Sequence, residues 1–283
     1  MVVEQGGFEK AAQRLFITQS AVSQRIRSLE EQIGKIVITR ANPPIPTVAG
    51  YELIKHCHQV GRLEAELENT FDEQDEETFS TLSIGTNADS LALWLLPSLQ
   101  DFYSEHKIVI DFSVDDQDET RTLLQNGIVA GCITSNDKPL KGCSMTHLGK
   151  MDYHLVCTPA FKERWFKKGL TIESIQEAPA VIFNSRDTLQ RQYLLDHYQM
   201  NFSAIPTHQI PSTEKFLELI SMGSAYGMVP FLQYRQKLKT HELVELSEVP
   251  KGVDLFWHCW NIPSRQLSLF SEAVISGAKE YLH

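Results

Sequence analysis

FEKAAQRLFITQSAVSQRIRSLEEQIG, Phe8 to Gly34, carries two short helical patterns that meet across a tight break. In the first, Phe8, Ala11, Ala12 and Leu15 share one face; in the second, Ala21, Val22, Ile26, Leu29 and Ile33 recur at helical spacing. Phe16-Ile17-Thr18 leaves room only for a turn, and Thr18 is a good N-cap for a helix starting near Gln19. Ala11 and Ala12 are small where the two helices must cross. The polar face of the second helix carries Gln19, Ser20, Ser23, Gln24 and Arg27. Glutamine and arginine can bond a base edge through two atoms at once, and serine can donate or accept. With Thr18 they form the candidate reading set of a helix-turn-helix, whose second helix lies in the major groove. An ordinary amphipathic helix pair with a solvated face fits the spacing equally well.

The residues that follow decide between these readings. After Gly34 come Ile36, Ile38 and Arg40, then ANPPIPT and Ala49-Gly50. The whole pattern is Ala11-Ala12, Leu15, Thr18-Gln19, Ser23, Ile26, Leu29-Glu30, Gly34, Arg40, Thr47 and Gly50. It resembles the winged helix-turn-helix of the LysR-type transcriptional regulators. Pro43-Pro44-Ile45-Pro46 cannot be helical and would form the wing. The resemblance implies promoter DNA as a partner, Arg40 as a further DNA contact, and RNA polymerase as a candidate partner. Members of the family carry most of a first helix upstream. Here Met1 to Gln5 followed by Gly6-Gly7 reads as only the tail of that helix with its glycine stop. Phe8, Leu15, Val22 and Ile26 are therefore expected to be partly uncovered. The alternative function is a shortened module that binds an effector and dimerises but no longer grips DNA.

Composition narrows the class. The chain of 283 residues is 42% hydrophobic and 22% charged, as soluble globular proteins are, and it has ample length for two or three domains. It contains no run of roughly 18 apolar residues and no charged-then-apolar leader, so a cytoplasmic protein with no membrane partner is expected. The net charge of −10 argues against nonspecific binding to nucleic acid. The charge is uneven, however: residues 1–62 hold eight Lys/Arg against five acids, and the rest 18 against 31. A mildly basic head on an acidic body suits a protein that presents one end to DNA. Cys57, Cys132, Cys143, Cys157 and Cys259 are scattered, odd in number and without a CxxC, which predicts buried reduced thiols. His56 and His58 point different ways on a helix, so neither metal nor cofactor is expected.

Three domains follow. Residues 1–46 are the winged helix-turn-helix with its first helix mostly missing. Residues 47–78 are a linker and dimerisation helix, capped by Thr47, with an acidic hinge from Asp72 to Glu77. Leu53, Cys57, Val60, Leu67 and Phe71 recur at four and three along it, which predicts a two-stranded seam and a homodimer or homotetramer. From Thr81 onward, strand patterns (TLSIG, IVIDFSV, VAGCITS, HLVCTP, PAVIFN, THQIP, AYGMV, VDLFWHCWN) alternate with helical ones. That predicts an α/β architecture with parallel sheets. The family resemblance makes 79–283 a two-lobed effector domain like a periplasmic binding protein, with lobe I about 80–150 and 255–283 and lobe II about 152–250.

Ligands of such folds bind beyond the carboxyl ends of strands, at helix starts. Asn87, Asp89 and Ser90 follow the first strand, and other strand ends supply Asp115, Asp116, Thr134, Ser135, Asn184, Asp187, Ser212, Thr213 and Glu214. Each acid alone is more commonly an N-cap or a solvated loop residue. Gathered round one cleft they suit a cationic amino acid. Asn87, Asp89, Ser90, Asp116, Thr134, Asp187 and Glu214 are the candidate effector set. NADSLALWLLPSL, DETRT, STEKF and GMVP, with the helix-turn-helix stretch, resemble the lysine- and arginine-responsive branch that controls arginine export. The resemblance implies lysine or arginine as effector. An enzyme is not expected: G-x-S-x-G, P-loop, G-x-G-x-x-G and HExxH motifs are all absent.

Overall fold

The computed structural model describes residues 1–39, 41–71, 79–114, 117–199 and 205–283. Arg40, the run from Asp72 to Glu77, Asp115 and Asp116 lie outside the described residues, as do the side chains of Leu67 and Phe71.

The head is built from α1 (Phe8–Arg14) and α2 (Gln19–Ile33), followed by α3 (Val48–Phe71). Before α1, Gly6 takes a left-handed φ of 68° while its N–H bonds Val3 O and the Gly7 N–H bonds Val2 O. This pair of bonds is the glycine stop that closes a helical turn. The turn seats Val2 against Ala11, Ala12 and Val22, all buried, with Phe8, Ile17 and Ile26 packed around them. Val22 is thus covered, contrary to the expectation that the shortened start would expose it, whereas Leu15 remains exposed.

The body follows as β1 (Ser80–Thr86), a helical run made of α4 (Ala88–Ser90), a π-turn (Leu91–Leu95) and α5 (Leu96–Ser98), then α6 (Gln100–Glu105) and β2 (Ile108–Val114). Pro97 has no N–H to bond the carbonyl four residues back, which fits the irregular π geometry just before it. Next come α7 (Gln117–Gln125), β3 (Gly131–Thr134), β4 (Cys143–Cys157), α8 (Pro159–Trp165), α9 (Ile172–Glu177) and β5 (Ala180–Ile182). The chain finishes with α10 (Leu189–Tyr198), β6 (Thr207–Gln209), α11 (Thr213–Ser221), β7 (Gly227–Pro230), α12 (Phe231–Lys239), β8 (Val244–Glu245), β9 (Lys251–Trp260) and α13 (Arg265–Tyr281).

The main sheet runs β2-β1-β3-β9-β4-β7, with β8 on β4; β5 and β6 form a small second sheet. β1 is parallel to β2 and β3, but β9 is antiparallel to both β3 and β4, and β7 is antiparallel to β4. The expectation of parallel sheets holds for β5 with β6 and for β1 with β2 and β3, but the main sheet as a whole is mixed, because β4 and β9 are return strands. They run side by side from Cys143↔Trp260 to Tyr153↔Lys251, with a register shift between His147 and Gly149. The fully buried Trp94, Trp257, Phe270 and Tyr193 belong to the largest core cluster. Val181, Phe216, Ile220 and Tyr234 form another under β7. Burial raises the Cys132 and Cys157 thiols to about 12 and Cys143 to about 11, so these three stay protonated and unreactive. Cys57 is exposed, contrary to expectation, because it lies on the open side of α3.

Candidate functional site

The reading helix is set by local chemistry. Phe16 takes φ 54° to turn the chain, and Thr18 leaves it extended. Thr18 Oγ1 then accepts from the Ala21 N–H at 3.2 Å and lies 3.0 Å from Ser20 Oγ. Gln19, Ser20, Gln24 and Arg27 are exposed and Ser23 is half-buried, so all five sit on the open side of α2 while Val22 anchors the other. Gly34 closes the helix in the left-handed conformation. Glu30 reaches forward past the helix end: its Oε1 accepts from the Val37 N–H at 2.8 Å and the Ile38 N–H at 3.5 Å. That ties α2 to the wing, where Ile38 bridges Pro46 and the Thr39 N–H bonds Ile45 O. Thr47 Oγ1 donates to Ile36 O at 2.6 Å and accepts from the Gly50 N–H, capping α3. A β-carbon at Gly50 would collide with the Val37 carbonyl. Thr18, Glu30, Gly34, Thr47 and Gly50 of the motif thus each have a mechanical reason.

The second site lies where the carboxyl end of β1 meets α11 and β4. Asn87 caps the helical run through Oδ1, which accepts from the Ser90 N–H at 2.7 Å. Ser90 is fully buried, and its hydroxyl has no hydrogen-bond partner among the described residues. Asp89 is half-buried, and its carboxylate is spanned: Tyr153 donates to Oδ2 at 2.8 Å and Thr213 to Oδ1 at 2.9 Å. Burial raises the Asp89 carboxyl above the usual carboxylate range; the two hydroxyls pull it down, and the nearby charge of Asp187 raises it. Tyr153 is itself raised by burial, then by the Asp89 carboxylate.

The remaining candidates divide. Asp187 accepts from the backbone N–H groups of Phe183 and Leu189, both at 3.0 Å, so it shapes its own loop while its charge reaches Asp89. Thr134 ends β3, fully buried, and accepts from the Asn136 N–H at 3.2 Å. Glu214 is exposed in the first turn of α11, beside Lys215, and does not join the Asp89 group. Tyr153 was not foreseen from sequence. It sits inside a strand whose alternation signals only burial, and no local spacing links it to Asp89. Among the described residues, no group of three His, Cys, Asp or Glu could hold a metal, and no helix is long and apolar enough to cross a membrane.

Comparison with known proteins gives this geometry its context. Residues 1–51 match the model for the bacterial regulatory helix-turn-helix protein, lysR family, and residues 75–275 match the LysR substrate binding domain. The chain is 36% identical over 282 residues to the HTH-type transcriptional regulator ArgP of Vibrio vulnificus (strain YJ016), covering 99% of this chain and 95% of that one. The crystal structure of ArgP from Mycobacterium tuberculosis superposes with a TM-score of 0.88 at 31% identity, over 99% of this chain and 94% of that one. Full-length LysG from Corynebacterium glutamicum with bound effector Arg gives 0.82 at 29% identity, over 100% and 96%. The two domain matches fall in the expected order, and the relatives that run nearly end to end with this chain are regulators, not enzymes. The chain belongs to the LysR family of bacterial helix-turn-helix transcriptional regulators.

Proposed function

We propose that this regulator senses a basic amino acid in the cleft around Asp89 and controls genes of arginine or lysine transport or metabolism. The observation that carries the reading is the half-buried carboxylate of Asp89, held by donors and facing the charge of Asp187. A ligand cation would relieve the repulsion between the two acids through charge-assisted bonds. The Asp89 N–H, at the positive start of the helical run, would face the ligand carboxylate, since the Ser90 N–H is already taken by Asn87. Asn87 would keep that start in shape. The arginine bound to the related LysG structure agrees with this chemistry. Promoter DNA would be contacted at base edges by Thr18, Gln19, Ser20, Ser23 and Gln24 and at a phosphate by Arg27. A homodimer or homotetramer would assemble through α3, and RNA polymerase would be a downstream partner.

Calorimetry on the whole protein tests the effector. Lysine and arginine should bind, and glutamate and leucine should not, because either would leave a cleft carboxylate unpaired. Asp89→Ala should weaken lysine or arginine by about 1.5–3 kcal/mol, the range for a hydrogen bond to a charged group. No heat with either amino acid would remove the effector from the reading.

A further inference from the structure

Asp89 lies just after β1, in the half of the body built on the parallel strands, whereas Thr213 begins α11, 124 residues later and beside β5. Tyr153 stands on β4 opposite Pro230 of β7 and Lys251 of β9, where the main sheet passes from one half to the other. The two hydroxyl hydrogens come from outside Asp89's own segment, and each goes to a different oxygen of the same carboxylate. Neither donor is free to wander: Tyr153 is 6% exposed and Thr213 is 8% exposed. Gln233 of α12 fixes the latter further, its Nε2 donating to the Thr213 carbonyl at 2.7 Å.

We propose that Tyr153 and Thr213 are positioning residues which, by donating to both oxygens of Asp89 across the cleft, keep it a carboxylate aimed at the cation of the effector. The proposal rests on the basic-amino-acid reading for its ligand but not for its chemistry. A hydroxyl that only donates to a carboxylate stabilises the anion over the neutral acid. Among the described residues, the charge of Asp187 acts on Asp89 and favours the neutral form, as does burial. The two donors are what oppose both. Selectivity for cations therefore depends on groups that need not touch the ligand, and it is complete only when the two halves of the body are brought together.

The sign of the pH dependence follows. As pH falls through the Asp89 pKa, the carboxylate and its attraction for a cation are lost; removing a donor raises that pKa, so the loss sets in at higher pH. Arginine affinity of the full chain, measured by calorimetry from pH 4 to 8, would be compared for the wild type, Tyr153→Phe, Thr213→Val and Thr213→Ser. Tyr153→Phe and Thr213→Val should each move the midpoint up by roughly half to one pH unit, from the worth of one hydrogen bond, and Thr213→Ser should restore it. A second readout needs no ligand: the carboxyl ¹³C titration of Asp89, assigned with Asp89→Asn, should move by the same amount. Unmoved titration in both variants overturns the proposal, even if arginine binds normally. A shifted titration in a protein that binds neither lysine nor arginine upholds the positioning role and removes the amino-acid reading instead.

Discussion

The head and the cleft handle polar and apolar surface in opposite ways. On the head, the residues that face outward are left open: Phe16 is 94% exposed and Val48 is 84% exposed, and Gln24 and Arg27 extend from the free side of α2. In the cleft, the central carboxylate already has both oxygens engaged by the chain's own hydroxyls. A surface meant for a large partner can stay open because the partner supplies the missing contacts. A site for a small ligand must be rigid and charged before the ligand arrives, so its bonds are made in advance. The head is completed from outside, and the cleft is prepared from within.

The strongest test of that contrast is to damage one region and watch the other. Phe270 is fully buried against Phe102 and Trp257 in the body core. Phe270→Ala should cost about 3–5 kcal/mol, lowering the main melting transition by calorimetry. DNA binding below that transition should persist; its loss there would mean that the head depends on the body for its fold. A smaller effect is expected at α3. Leu53 is half-buried and lines a groove with Ile33, Ile36, Val48 and Ala49, bordered by Lys35, Thr47 and Glu52. Leu53→Glu places a charge where a second copy would sit and should weaken association by roughly 2–4 kcal/mol. Sedimentation with an unchanged assembly would move the interface elsewhere. The smallest effect belongs to the reading face. Gln24→Ala should cost about 1–3 kcal/mol on the cognate site and relax base preference, whereas Arg27→Ala should weaken all sequences alike and flatten the salt slope. Mobility shifts against matched and scrambled sites separate the two, and an unaltered preference in Gln24→Ala would take that residue off the reading face.

The same contrast explains what could be read without coordinates. The head's features are local. Thr18 caps three residues on, Glu30 reaches seven and eight residues forward, and Gly34 ends its own helix. Spacing along the chain is therefore spacing in space, and the reading face is visible in the periodicity. The body is legible in its strands but less so in its joins. HLVCTP marks only the end of β4, because polar His147, Lys150 and Asp152 interrupt the apolar pattern of a strand that begins at Cys143. α8, α9 and α12 leave little mark in the sequence for a similar reason: they are short, and α12 mixes Gln, Arg and Lys through its length. The cleft is the least legible part. Asp89 stood out as a strand-end acid, but its partners lie 64 and 124 residues away. Glu214 and Thr213 are adjacent in sequence and face opposite environments, one exposed and one buried. Only the helix α11 decides which of them meets Asp89.

One join carries a mechanical consequence. Between the stretch of β9 that pairs with β3 and the stretch of β4 that pairs with β7, no third strand among the described residues joins the pair from Gly149↔Leu255 to Asp152↔Gly252, and Lys150 alone of the four β4 residues exchanges backbone bonds with His283 at the end of the chain. A glycine stands at either end of this ladder, and the register slips just before it. Two-stranded ribbons resist stretching through their hydrogen bonds but accept changes in twist readily. The halves of the body are thus joined by a torsion bar. Effector binding should be felt as a rotation of one half against the other about the ribbon axis, at nearly constant separation. Spin labels on the two halves would register it as altered orientation; a large change in distance would mean that the ribbon yields by bending instead.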